Sequence, residues 1–150
     1  MYRATLTKST TVDEFYDHIK KACLAGSFPS ITGNNCKYRL DGQPESDKAC
    51  VVGIFIPNKE YSISMDKYIP VQSIINSLDT PDWLLKEYEN GKNLFMIMQG
   101  HHDDYAIACK TFNLKWDNRI FLLHVATTLA THAGLAGVDL GEIQSLFPNG

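Results

Sequence analysis

The sequence predicts a mainly α-helical fold, a single compact domain over residues 1–150 with at most one or two short strands. Two observations carry this prediction. Apolar residues recur at three- and four-residue spacing in several segments, which is the period of an amphipathic helix. Thr, Asp or Asn, which cap helix N-termini, stand directly before most of those segments. The 150 residues, 44% of them apolar and 21% charged, are typical of one globular domain that buries a core without disulfides.

The first half of the chain contains one clear helix, which the sequence predicts after Thr11. Thr11 and Glu14 have the spacing of a capping box, and Gly26 supplies a stop. The apolar residues at helical spacing between them are Val12, Phe15, Tyr16, Ile19 and Cys23. Residues 27–48 are interrupted by Gly, Pro and Asn, which predicts a long irregular segment of the kind that is functional or mobile.

Residues 49–56 are apolar at every position but Gly53, and Pro57 ends the run. Their β-branched side chains favour a strand, whereas Asp47 is placed to cap a helix, and periodicity does not distinguish the two in so short a run. Either conformation places the run in the core.

The second half of the chain is predicted to be helical, which brings the expected total to five or six helices. The predicted helices are residues 70–78, a segment from Thr80-Pro81-Asp82 to about Gly91, a segment from Asn93 to about Lys110, a segment after Asp117 that ends at Gly134, and residues 140–147 after Asp139. The helix after Asp117 has the strongest pattern and is expected to be central to the core. Its apolar residues at four-residue spacing are Phe121, Val125, Leu129 and Ala133.

Charge and cysteine usage exclude several classes of protein. The net charge is −3 and no run of Lys or Arg is present, so we expect neither nucleic acid nor an anionic membrane as a partner. The longest apolar stretches, such as residues 94–98, are far shorter than the roughly 20 residues that span a bilayer. The first ten residues contain no signal-peptide core, so the four cysteines are expected to be thiols in the cytoplasm.

Three motifs resemble a family of small bacterial and phage proteins over about 100 residues. The first is Cys36-Lys-Tyr38-Arg39-Leu-Asp-Gly42 with Cys50-Val-Val-Gly53-Ile-Phe-Ile56-Pro57-Asn58-Lys-Glu-Tyr61, similar to C-x-Y-R, G and C-x-x-G-x-x-I-P-D-x-x-Y. The second, Met98-Gln99-Gly-His-His102-Asp103, resembles L-Q-x-x-H-D, and the third, residues 116–135, resembles a closing W-x-x-x-F helix that ends in G-L. The resemblance implies a cytoplasmic or phage-encoded setting and no particular reaction, and Asn58 stands where the pattern has Asp.

The sharpest candidate for chemistry is the run of two histidines and two aspartates at residues 101–104. A His–Asp pair on a helix is how metal-dependent phosphohydrolases of the HD type, which are also helical, bind a divalent ion. Their pattern needs an earlier His and a later Asp as well, for which His18 and Asp139 are the available residues. The alternative is structural, with His102 hydrogen-bonded to a core backbone carbonyl and Asp103 to a loop.

Two further sets of residues are weaker candidates. A zinc site built from Cys36 and Cys50 with His101 or His102 lacks the closely spaced ligand pair that structural zinc sites contain. Cys50 as a nucleophile lies in an apolar run, which raises the pKa of a thiol and so opposes catalysis.

These observations favour a small cytoplasmic binding protein rather than an enzyme, with a protein or small-molecule ligand as partner and no cofactor. Together with the resemblance, they suggest a phage-encoded host-modulating or anti-defence factor. The alternative is an HD-like metal-dependent hydrolase that uses His102 and Asp103. A site is expected where residues 34–61 meet the turn at residues 101–104, because a rigid helix there presents polar groups to an irregular segment. The predicted ligand-binding residues are Cys36, Tyr38, Arg39, Tyr61, His101, His102 and Asp103.

Overall fold

The computed structural model describes residues 2–150, so Met1, the first residue of the predicted domain, lies outside the described residues. In this part of the chain there are seven α-helices and one two-stranded antiparallel sheet. In chain order they are α1 (Val12–Leu24), β1 (Ile31–Thr32), β2 (Asn35–Cys36), α2 (Ile63–Tyr68), α3 (Val71–Ser77), α4 (Asp82–Leu85), α5 (Leu94–Thr111), α6 (Asn118–Ala133) and α7 (Leu140–Leu146). The prediction of a mainly helical single domain with at most two short strands is confirmed.

The helices that the capping residues predict begin where the sequence places them. Thr11 and Glu14 form a capping box, since the Thr11 hydroxyl accepts from the Glu14 N–H (3.1 Å) and the Glu14 carboxylate accepts from the Thr11 N–H (3.0 Å). The predicted caps of α5, α6 and α7 also accept backbone N–H groups; they are Asn93, Asp117 and Asp139. Gly134 ends α6 in the left-handed conformation, with φ of 76°.

The helix predicted from Thr80 to Gly91 is wrong in its length. α4 ends at Leu85, and the chain then turns back so that the Tyr88 N–H donates to the Lys92 carbonyl (2.9 Å). Thr80 does not cap α4, because its hydroxyl donates to the carbonyl of Ile75 in α3 (2.8 Å).

The run at residues 49–56 is buried throughout, as predicted, but it is neither a strand nor an α-helix. It forms a tight turn followed by one turn of 3-10 helix, Gly53–Phe55. Side chains from elsewhere pair its backbone groups. The Val52 N–H donates to Gln99 Oε1 (2.9 Å), and the carbonyls of Gly53 and Ile56 each accept from Arg39 (2.6 Å).

Aromatic side chains hold this run between α1 and α5. Phe15 of α1 stacks on Phe55, with ring centroids 5.5 Å apart, and both rings meet Phe95 of α5 edge-on. α1 and α5 both pack on α6. The predicted core positions of α6, which are Phe121, Val125 and Leu129, are fully buried, whereas Ala133 is half-buried.

α5, with 18 residues, is the longest described helix, and it carries the polar side chains Gln99 and His102 on its buried face. Among the helices within residues 2–150, none combines the length and the apolar composition that crossing a bilayer requires. Because Gln99 and His102 are buried, α5 places polar groups in the core at the point where the irregular segment contacts this helix.

All four cysteines are thiols in the structure, with Cys23, Cys50 and Cys109 buried and Cys36 half-buried. We predict that the protein, purified without reductant and unfolded in denaturant, reacts with four equivalents of a thiol reagent, as expected for a chain from a reducing compartment. A count of two or zero would show that disulfides form and would contradict the prediction of a reducing compartment.

Candidate functional site

Gln99 of α5 joins the two regions in which the sequence places candidate residues. Its amide nitrogen donates to Cys36 Sγ (3.2 Å) and to Asp103 Oδ1 (2.8 Å), and its amide oxygen accepts from the Val52 N–H. The side chain is buried. The irregular segment and the His–Asp turn therefore meet through one buried amide, which fixes the position of both.

Arg39 is fully buried and points into the protein. Each of its five N–H groups donates a hydrogen bond to an uncharged acceptor. The acceptors are the carbonyls of Tyr38 (3.1 Å), Pro44 (2.9 Å), Gly53 (2.6 Å) and Ile56 (2.6 Å) and the Asn58 side-chain oxygen (3.2 Å). Burial lowers the pKa of Arg39 to about 10, which still leaves it protonated at neutral pH. Arg39 therefore holds the irregular segment together and directs no donor toward a ligand.

Position 53 requires a glycine because there is no room for a side chain, not because the backbone needs a special conformation. A Cβ at this position would lie 2.4 Å from the Tyr38 carbonyl oxygen and 3.0 Å from the Tyr38 Cα. Both of these are backbone atoms, which move only with the chain. Gly53 thus allows the close approach that brings the Tyr38 and Gly53 carbonyls to the same guanidinium nitrogen of Arg39.

Asp66 attaches α2 to the irregular segment. Its carboxylate accepts from the Tyr38 N–H (2.6 Å), the Arg39 N–H (3.4 Å) and the Tyr61 hydroxyl (2.6 Å). Burial raises the pKa of Tyr61, and the hydrogen bond to Asp66 raises it further, so this hydroxyl remains a donor. The Tyr38 hydroxyl donates to the carbonyl of Ile69 (2.7 Å), immediately after α2. No residue of α2 is fully buried, so these bonds attach the helix together with Met65, which is partly buried and packs against the core.

His102 is fully buried, and both of its ring nitrogens are engaged. Nε2 accepts from the Ser30 N–H (3.0 Å), so Nε2 carries no proton, and Nδ1 donates to Asp103 Oδ1 (2.8 Å). A divalent ion at Nε2 would have to displace the Ser30 N–H. His102 is a buried hydrogen-bonding residue, as in the structural alternative, but it accepts from a backbone N–H instead of donating to a carbonyl. Asp103 bonds the side chains of Gln99 and His102 in α5 rather than a loop.

An aspartate, a histidine and a serine contact one another in the order of a catalytic triad, namely Asp103, His102 and Ser30. Their atoms, however, are not arranged as in a triad. The Ser30 hydroxyl donates to the Lys37 carbonyl (2.6 Å), and only the backbone N–H of Ser30 meets the imidazole. Ser30 is itself fully buried. The set therefore offers no nucleophile that His102 could activate.

His101 lies apart from the other predicted residues, on the side of α5 that faces α6. Its Nε2 lies 2.9 Å from the Thr128 hydroxyl, and its ring is 5.6 Å from that of His124. Burial lowers the pKa of His101, and the neighbouring His124 lowers it further. His101 and His102 therefore belong to different surroundings, as expected for consecutive helical residues.

The structure does not bring together the zinc ligands considered from the sequence, which are Cys36, Cys50 and His101 or His102. The Cys36 and Cys50 thiols do meet, and the hydrogen bond between them, followed by burial, raises the pKa of Cys36. However, the two candidate histidines make the contacts with Thr128 and Ser30 described above. Within residues 2–150, no group of three or more His, Cys, Asp or Glu side chains is placed to hold a metal ion.

Two adjacent clefts open beside α2. The larger, of about 590 Å³, lies between residues 35–38 and residues 66–71, and the smaller, of about 290 Å³, lies between residues 40–42 and Ile63. Three residues line both clefts: Lys37, Asp66 and Lys67. We define the α2 surface as six of the residues that line the clefts: the half-buried Lys37, the exposed Lys67, and the exposed apolar or aromatic side chains of Leu40, Ile63, Tyr68 and Ile69.

Only three of the predicted site residues line the two clefts. Cys36 and Tyr38 line the larger cleft and Arg39 lines the smaller one, whereas Tyr61, His101, His102 and Asp103 line neither. The sequence pattern did not indicate Asp66, Lys67 or Tyr68 as site residues. The short segment between Pro57 and Pro70 gave no periodic signal, although its Lys67-Tyr68-Ile69 run was available as a clue.

Comparison of the chain with protein-family models, with curated proteins and with solved structures found no match.

We predict that His102→Ala lowers the free energy of unfolding by about 2 to 3 kcal/mol, because it removes a buried hydrogen bond and leaves a cavity among Phe28, Trp116 and Phe121. The matched control is His124→Ala at an exposed position, which should change stability by less than about 0.5 kcal/mol. Urea unfolding measures both. Equal stability of the two variants would show that His102 is not a core hydrogen-bonding residue and would restore it as a candidate site residue.

Proposed function

We propose that this protein acts by binding another protein, that it does not catalyse a reaction, and that the α2 surface is where the partner docks. The observation that carries the proposal is the double cleft around α2, with aromatic and aliphatic side chains exposed on either side of two lysines. A host-modulating or anti-defence role in the cytoplasm remains part of this proposal.

The groups able to perform chemistry are directed inward. All five donors of Arg39, both nitrogens of His102 and the carboxylate of Asp66 are used by internal hydrogen bonds. The half-buried Cys36 thiol has a raised pKa, which opposes its use as a nucleophile. The larger cleft presents the side chains of Tyr68 and Ile69 together with the charged groups of Lys37, Asp66 and Lys67, a combination that suits binding.

The α2 surface has the composition of a protein interface. Tyr68 is 79% exposed and Ile63 51%, on a short helix with no buried residue. Leu40 and Ile69 extend the apolar area on the two sides. Clustered exposed apolar residues mark interaction sites, and Tyr is enriched among the residues that dominate binding energy.

A second cleft, of about 320 Å³ between α6 and α7, is also apolar and is lined by Ile120, Leu123 and Leu140. It contains no aromatic side chain, and its arginine, Arg119, is paired with Asp117 (2.8 Å). We therefore favour the α2 surface, where both an aromatic anchor and unpaired positive charge are present.

The test uses random dodecapeptides displayed on phage particles and panned against the immobilised full chain. The enriched peptides are synthesised, and their Kd values are measured by fluorescence anisotropy with the wild type, Tyr68→Ala and Phe112→Ala. Phe112 is the matched control, since it is 70% exposed and lines neither cleft.

We expect Tyr68→Ala to weaken binding by about tenfold or more, as loss of an interface anchor does, and Phe112→Ala to change it by less than about twofold. The proposal fails if no peptide is enriched, or if the enriched peptides bind Tyr68→Ala as tightly as the wild type.

A further inference from the structure

We infer that the occupant of the α2 surface is an acidic protein segment that carries an apolar side chain beside its carboxylates. This inference rests on the proposed function and specifies the chemistry of the partner. It is drawn from the charges and the apolar side chains that surround the two clefts.

Lys37 and Lys67 supply the positive charge. They line both clefts, and no carboxylate within residues 2–150 lies within 4.0 Å of either ammonium group. Two lysines elsewhere in the described chain do pair with carboxylates, Lys21 with Asp17 (2.8 Å) and Lys20 with Glu142 (3.4 Å). A carboxylate on the partner would complete two ion pairs without displacing an internal one.

The carboxylates on the same surface are already engaged by donors of the chain. Asp66 accepts from the Tyr38 N–H and the Tyr61 hydroxyl, and Asp41 accepts from the Gln43 N–H (2.9 Å). These bonds hold both carboxylates toward backbone groups. The charged side chains that line the two clefts are Lys37, Arg39 and Lys67 against Asp41 and Asp66, which is an excess of one positive charge for a partner to neutralise.

The apolar side chains flank the lysines on both sides. Tyr68 and Ile69 border the larger cleft, and Leu40 and Ile63 border the smaller one. A partner segment with only acidic residues would leave these side chains in water. An apolar side chain next to the acidic residues would fill a cleft and contact the apolar side chains there. The neighbouring carboxylates would pair with the lysines.

The experiment uses the peptides enriched by panning against the full chain. Each is compared with a version in which every Asp and Glu is replaced by Asn and Gln, and each is titrated with the wild type and with Lys37→Gln/Lys67→Gln. The control is Lys92→Gln/Lys110→Gln, which removes two exposed lysines that line neither cleft. Anisotropy is recorded at low and high NaCl, and the same proteins are tested for co-sedimentation with phosphatidylserine vesicles.

We expect the enriched peptides to contain acidic residues next to an apolar one. Loss of the peptide carboxylates, or of Lys37 and Lys67, should weaken binding about tenfold, while the Lys92/Lys110 control stays within about twofold. High salt should weaken binding of the wild type and have little effect on the double variant.

Peptides that bind the α2 surface but contain no acidic residues, or that bind Lys37→Gln/Lys67→Gln as tightly as the wild type, would overturn this inference and leave the proposed function standing. Binding to anionic vesicles that depends on both lysines, with no peptide enriched, would overturn both, because the surface would then recognise a membrane.

Discussion

Replacing Arg39 with methionine is expected to lower the free energy of unfolding by about 4 kcal/mol. Methionine fills much of the same space but donates no hydrogen bond. Exchanging both partners of a buried polar contact for apolar groups is often neutral, but here the acceptors are mostly backbone carbonyls, which remain in place. The variant therefore loses five hydrogen bonds and leaves acceptors behind in the core.

The matched control for this prediction is Arg119→Met, which breaks a partly exposed pair with Asp117 and should cost far less stability than the loss of Arg39. Urea unfolding, followed by the fluorescence of Trp83 and Trp116, measures both variants. A loss at Arg39 no larger than that at Arg119 would show that Arg39 does not hold the irregular segment, and its guanidinium would again be a candidate for binding a ligand.

Replacing Gly53 with alanine is expected to cost about 3 kcal/mol, although it adds one methyl group. The new Cβ would lie 2.4 Å from the Tyr38 carbonyl oxygen, so the backbone of one segment must move. That movement would also separate the two carbonyls that share Arg39. The thermal midpoint and urea unfolding both report this loss.

Gly100→Ala provides the opposite control. Gly100 lies inside α5, and a Cβ there meets no atom within 4 Å, so alanine should stabilise the protein by about 1 kcal/mol through its higher helix propensity. If Gly53→Ala were tolerated as well as Gly100→Ala, the close approach of the two segments would not be a requirement of the fold.

Local signals were sufficient to predict the long helices. α5 and α6 each follow a residue whose side chain caps the first turn. Both signals, the cap and the apolar period, lie in or directly beside the helix. Residues 49–56 could be placed in the core but not given a conformation. Their backbone is paired by Arg39 and Gln99, two side chains far away in sequence, in place of a regular ladder.

The short helix α2 could not be predicted, because it buries no residue and so leaves no apolar period in the sequence. Its position depends on Asp66, whose partners are the Tyr38 and Arg39 N–H groups and the Tyr61 hydroxyl. The same limit applies to the site. Residue types predicted which segments meet, but not that the Arg39 and His102 side chains turn inward, which leaves Lys37, Lys67 and Tyr68 to face solvent.

The location of binding is the central claim, and nuclear magnetic resonance tests it most directly. The ¹⁵N-labelled full chain is titrated with the tightest peptide from panning, and the amide shift changes are mapped onto the sequence. We predict that the largest changes lie in residues 35–42 and 63–71, on and around the α2 surface. Largest changes in residues 119–144, at the cleft between α6 and α7, would contradict the assignment of the α2 surface as the docking site.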